Sequence, residues 1–139
     1  MINAIKSLHP LIVLVVSIIA FVFGGLWFSP LLFVKAWMAE VKMTPEKAKA
    51  AGWGKSRMAA AFFFTVVSTF ALAALVAENG TTLLLNGAEI GLFVGAGLVG
   101  ARAATTDLFE MRSVKYFLIV TGHDVAQFTL AGAILAVWR

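Results

Sequence analysis

Four unbroken apolar runs, each about as long as a lipid bilayer is thick, constrain this chain more than anything else in it. They cover residues 10–28, 58–77, 88–109 and 114–138. A helix that crosses the hydrocarbon core needs ~20 such residues at 1.5 Å each. The runs lack the period-two alternation of barrel strands, so they read as helices. Composition agrees: 61% of the 139 residues are hydrophobic and 13% are charged, against roughly 25% charged in soluble domains. The expectation is one integral membrane domain, residues 1–139. Its fold class is all-α, an antiparallel four-helix transmembrane bundle with the lipid bilayer as its surroundings. A disordered chain, a fibrous one and a water-soluble enzyme are excluded.

The long connection follows the first run. Ser29-Pro30 reads as an N-cap with proline at the first helical position. Leu31, Leu32, Phe33, Val34, Trp37, Met38 and Val41 then recur among Lys35, Glu40 and Lys42, as in a short amphipathic helix lying in the interface. Thr44-Pro45-Glu46 starts another short helix and Gly52 stops it. In the second connection, Glu78-Asn79-Gly80 marks a turn, and Asn86-Gly87 reads as a further break before the third run.

Basic residues set topology in such proteins. Lys35, Lys42, Lys47, Lys49, Lys55, Arg57, Arg112 and Lys115 share one side, and only Lys6 and Arg139 lie on the other. The richer side is expected to be cytoplasmic, with both termini outside. So strong a bias disfavours dual insertion. Trp27, Trp37, Trp53 and Trp138 fall near span ends, as interfacial aromatics do. The net charge of +4 is thereby a topology signal, and no nucleic-acid partner is expected.

Ionisable residues inside a span are costly and by default functional or paired. Arg102, His123 and Asp124 are such residues, and Gln127 adds an amide. Arg102 lies ~10 Å and Asp124 ~15 Å from the same face, on adjacent antiparallel spans. An Arg102–Asp124 ion pair is therefore predicted. On an α-helix, Gly91, Gly95, Leu98 and Arg102 share one face, and a glycine face looks at protein. The alternative is that Arg102 snorkels to the interface. His123 and Asp124 are adjacent, point about 100° apart, and are not expected to pair directly. This polar wedge is either a register-setting hydrogen-bond network or a protonatable site. A buried carboxylate beside an imidazole can titrate near neutral pH.

Other chemistries fall away. The chain has no cysteine, hence no disulfide or thiolate site, and its two histidines are expected at different depths. No metal, cofactor or catalytic residue is expected. The stretch from Gly95 to Gly100 matches a dinucleotide fingerprint by letter, but inside a spanning helix the match is accidental.

The stretch Gly24-Gly25-Leu26-Trp27-Phe28-Ser29-Pro30-Leu31-Leu32-Phe33 with Lys35-Ala36-Trp37 resembles a bacterial membrane family catalogued as domain of unknown function 1761. Phe109-Glu110-Met111-Arg112 and the closing Gly132 to Trp138 are similar to its C-terminal half. The resemblance implies a four-helix protein of the bacterial cytoplasmic (inner) membrane and no particular activity. It points to Trp27, Ser29, Pro30 and Trp37 as an interfacial elbow. Glu110, with Arg112, Arg57 or a loop lysine, is predicted to clamp that elbow. A homo-oligomer, a dimer, is expected, with the glycine-rich third span as one possible face. Three functions stay open: a structural or accessory membrane subunit, a small transporter or channel, and a membrane enzyme acting on a lipid or lipophilic substrate. The first leads, the chain is more simply not an enzyme, and no small-molecule ligand can be named.

Overall fold

The computed structural model describes residues 2–52 and 54–138. Trp53 and Arg139, named above for their anchoring and topology roles, lie outside the described residues. The described chain is all helical: α1 Ile2–Ser7, α2 Pro10–Trp27, α3 Val34–Glu40, α4 Pro45–Ala50, α5 Lys55–Asn79, α6 Leu84–Leu92, a π-helical segment Phe93–Gly100, α7 Ala101–Phe109 and α8 Val114–Val137. The π segment joins α6 and α7 into one continuous third span. Four helices are long and apolar enough to cross a membrane: Pro10–Trp27, Lys55–Asn79, Leu84–Phe109 and Val114–Val137.

Local chemistry explains most boundaries. Pro10 opens α2 without losing a helical hydrogen bond. Thr44 caps α4, its hydroxyl accepting the Lys47 N–H at 3.2 Å. Gly80, at φ 76°, ends α5 in the left-handed conformation. Ser113 starts α8, its hydroxyl accepting the Tyr116 N–H at 3.0 Å.

Two expectations on boundaries are corrected. Ser29-Pro30 does not open a helix. The Ser29 hydroxyl accepts the Leu31 N–H at 3.2 Å, the chain turns, and α3 begins only at Val34. Asn86-Gly87 does not break the third span either, since α6 runs through both. Gly87 is there for proximity. A Cβ at this position would lie 2.3 Å from the Gly132 carbonyl oxygen.

α8 is the central element, packed against α2, α5 and the third span. The buried core is Val13 and Val16 of α2, Leu72, Ala73 and Val76 of α5, and Ala131, Leu135 and Ala136 of α8. Around it the large apolar residues turn outward, among them Leu11, Ile18 and Val22 of α2 and Phe63, Phe64 and Val67 of α5. This is the pattern of helices whose outer face meets hydrocarbon.

The third span meets α8 through glycine. A Cβ on Gly91 would fall 2.0 Å from the Phe128 carbonyl oxygen, and one on Gly95 would fall 2.9 Å from Val125 Cα. One on Gly100 would fall 2.9 Å from Thr121 Cγ2. Gly87, Gly91 and Gly95 are spaced by four, but the next contact glycine, Gly100, is spaced by five. Within the π segment the hydrogen-bond span is i→i+5, so the inward face advances by an extra residue per turn. The glycine face thus belongs within the chain and is not available as a dimer face.

Candidate functional site: a histidine–carboxylate pair walled by aromatics

The 3.6-residue period places Phe23 and Trp27 on one stripe of α2, with Gly24 beside them. Opposite stands α8. Trp27 reaches across and its Nε1–H donates to the Ile119 carbonyl at 3.0 Å. That carbonyl belongs to the second turn of α8, so the bond ties the exit of the first span to the start of the last. The indole ring lies 4.7 Å from that of Phe33 and 5.8 Å from that of Phe23, centroid to centroid. Trp27 is therefore more than an interfacial anchor.

His123 fills the space that Gly24 leaves open. A Cβ on Gly24 would stand 3.0 Å from its Nε2. The imidazole is stacked on Phe23 at 6.0 Å, tilted against Phe28 at 5.1 Å and set edge-on to Trp27 at 6.1 Å. Its side chain is 13% exposed, and Asp124 beside it is 30% exposed. Nδ1 lies 2.9 Å from the Asp124 carboxylate Oδ1. Facing a carboxylate, Nδ1 takes the donor role. Nε2 is buried and has no hydrogen-bond partner. The Thr121 hydroxyl, two residues earlier on the side of α8 that faces Gly100, is also buried without a partner.

The expectation that adjacent residues on a helix do not pair is thus overturned at His123–Asp124. Aromatic walls on the α2 side hold the ring so that Nδ1 meets its neighbour's carboxylate. Gln127 is half-buried one turn further on and forms no hydrogen bond with either residue among those described.

The predicted Arg102–Asp124 ion pair is not formed. Arg102 is exposed, and its Nη1 donates to the Thr106 hydroxyl at 2.8 Å. Thr106 is one turn nearer the Phe109 end, so the guanidinium snorkels along its own helix toward the interface. The cause is the π segment. In α-helical register Arg102 would follow Gly91 and Gly95 toward α8, but the extra residue at Gly95–Gly100 turns Leu98 and Arg102 outward.

The predicted elbow residues take part in the turn, but its link to α8 runs through a residue other than Glu110. Glu110 does pair with Arg112, at 3.1 Å between Oε2 and Nε, but both are exposed and two residues apart. That contact ties the loop to itself. Arg57 lies at the start of α5 and pairs with neither. The elbow is joined to α8 through Glu40, at the end of α3. Its carboxylate accepts from the Ser113 hydroxyl and lies 3.7 Å from Lys115 Nζ. Ser29 and Pro30 supply the turn, and Trp37 packs edge-on to Phe28 at 5.9 Å. Sequence reasoning missed Glu40, Gly24, Phe23 and Phe28. The i, i+4 spacing of Phe23 and Trp27 was a usable signal for an aromatic face, whereas nothing local pairs Glu40 with Ser113.

Among the described residues no group of three or more His, Cys, Asp or Glu could hold a metal ion. The site is thus one imidazole, one carboxylate and three aromatic rings between two spanning helices. Its elements are those of a four-span, all-helical integral membrane protein with a polar pair inside the bundle. Residues 11–136 match the family described as a protein of unknown function, DUF1761, and the chain belongs to that family. No curated protein and no solved structure matches it.

Proposed function

We propose that the protein moves protons, alone or with a small solute, across its membrane, and that His123–Asp124 is the group that takes them up and releases them. The observation that carries this reading is the buried Nε2 of His123, unpartnered beside an intramembrane carboxylate. A polar contact that serves only to hold helices together closes its hydrogen bonds. An ionisable pair inside a span with an open valence is by default functional. With Nδ1 donating to the carboxylate, Nε2 is the free acceptor. One proton arriving there makes an imidazolium–carboxylate pair, and its departure restores the starting state. Nε2 is buried against Gly24 of α2, so exchange requires α2 to move against α8.

Liposomes containing the protein and an entrapped pH dye test this reading. Under an imposed pH gradient they are expected to equilibrate faster than empty liposomes. Asp124→Asn and His123→Gln should lose that excess while keeping the wild-type melting temperature. A wild-type rate equal to empty liposomes, or full flux in Asp124→Asn, overturns it.

A structural or accessory membrane subunit is the second reading, and the aromatic enclosure of His123 favours it. In that case the pair sets the register of α8 against α2, and Asp124→Asn lowers the melting temperature instead. We further propose that the side carrying the elbow, Arg112 and Lys115 faces the cytoplasm of a bacterial cell, from the lysine and arginine asymmetry. A homodimer, if formed, uses a face other than the glycine face. Cross-linking in native membranes tests that assembly.

A further inference from the structure

At the Lys55 end of α5 the two faces of a groove come from two short helical stripes. Pro45, Ala48 and Lys49 line it from α4, and Arg57, Met58 and Ala61 from α5, with Gly54 just before that helix. The spacings i, i+3, i+4 and i, i+1, i+4 place each set on one side of its helix. Buried Ala48 seats α4 in place. The groove holds about 530 Å³. Its two cations are exposed, and Met58 and Ala61 continue from Arg57 along the axis of a spanning helix.

Several cations share this end of the molecule. Arg112 pairs with Glu110 and Lys115 with Glu40. Lys49 and Arg57 form no ion pair among the described residues. Lys35, Lys42, Lys47 and Lys55 also form no ion pair among the described residues, but none of those four lines the groove. Glu46, one turn before Lys49, is occupied by its own backbone N–H and the Thr44 hydroxyl. The groove therefore presents two uncompensated positive charges over an apolar floor, at the point where a spanning helix leaves the membrane. An anionic headgroup with an attached hydrocarbon chain matches both parts. The open groove beside Trp27 and Phe33 lacks this complement, because its one cation, Lys115, is already paired.

We propose that this groove binds one anionic phospholipid, its phosphate held by Lys49 and Arg57 and an acyl chain laid along Met58 and Ala61. The proposal does not depend on the role of His123. Lipid binding here would anchor α4 to α5 and fix the connection that follows the elbow.

The test compares melting temperatures in phosphatidylcholine nanodiscs with and without phosphatidylglycerol, alongside native mass spectrometry of retained lipid. Wild type should melt higher with phosphatidylglycerol and retain it. Lys49→Gln/Arg57→Gln should lose both effects, whereas Lys35→Gln/Lys42→Gln, with the same charge change, should keep them. Ala61→Phe leaves both charges in place and fills the floor, and it should also lose the retained lipid. Equal loss in both charge variants would reduce the effect to bulk surface potential and overturn the site. No loss in the first variant overturns it as well. Glycerol phosphate reproducing the wild-type shift in phosphatidylcholine alone would make the ligand a soluble phosphate ester and overturn the lipid assignment.

Discussion

Trp27 shows how one side chain can carry several jobs at the end of a span. Its indole N–H bonds to Ile119 across two helices, and its ring forms part of the wall around His123. Trp27→Phe keeps an aromatic ring but removes the donor and leaves that carbonyl short of a partner. A loss of about 0.5–1.5 kcal/mol is expected, read as a lower melting temperature in detergent. Gly24 is bound by the same geometry. Gly24→Ala brings a methyl within 3.0 Å of Nε2, so the imidazole must shift by a few tenths of an ångström. Gly24→Leu should expel the ring and lower stability well beyond the alanine change. The glycine and tryptophan of the Gly-x-x-Trp stretch were legible as a motif. Their shared target, a histidine about a hundred residues away, was not.

The third span illustrates what helix type decides. Its glycines let two backbones approach to contact, and there is no flexible side chain to yield at Gly91. Gly91→Val is expected to separate the third span from α8. Overpacking costs about 1–3 kcal/mol, and the upper part of that range applies against a backbone carbonyl. Thermal unfolding in detergent measures it. The elbow makes the reverse point about exposed charge. Glu110→Gln removes a local exposed pair and should change stability by less than about 0.5 kcal/mol. Glu40→Ala removes the only acidic link from α3 to α8 among the described contacts, so it should cost more and raise protease cleavage within 34–44. On α4, hydrogen bonds from the helix-start backbone and from Thr44 hold the Glu46 carboxyl below the usual carboxylate range. That contribution is present above the unfolded-state value and is lost as pH falls through the folded one. Thr44→Ala should move the Glu46 titration only part of the way back, because the backbone bond is the larger cause. A carboxyl carbon NMR titration reads this.

At the scale of the whole molecule, α8 is the hub and the charges are distributed around it without a central lock. Arg102 and Asp124 share no partner. Arg102→Met and Asp124→Leu should therefore be additive to within about 0.5 kcal/mol in a double-mutant cycle. A coupling well above that would restore the ion pair across the two spans. Arg102→Met alone is expected to leave the fold intact, since it removes only an exposed bond to Thr106. The bundle is also asymmetric along its length. Its hydrophobic core lies toward the Pro10 and Val137 end, while the polar pair, elbow and basic groove lie toward the other.

The number of spans, their helical nature and the turns at Thr44 and Gly80 are properties of short stretches of chain. Apolar length, proline position and capping chemistry act locally, so these features are set before any two helices pack. The same holds for the presence of costly ionisable residues at His123 and Asp124. Which of those residues meet was decided by tertiary structure. A run of eight π-helical residues, Phe93–Gly100, rotates everything after it and removes Arg102 from the interior. No residue within that run announces the change, because it is stabilised by how closely Gly95 and Gly100 approach α8. Gly24 opposite His123 and Glu40 opposite Ser113 are likewise contacts between distant segments. They exist only once α8 has packed against the rest of the bundle.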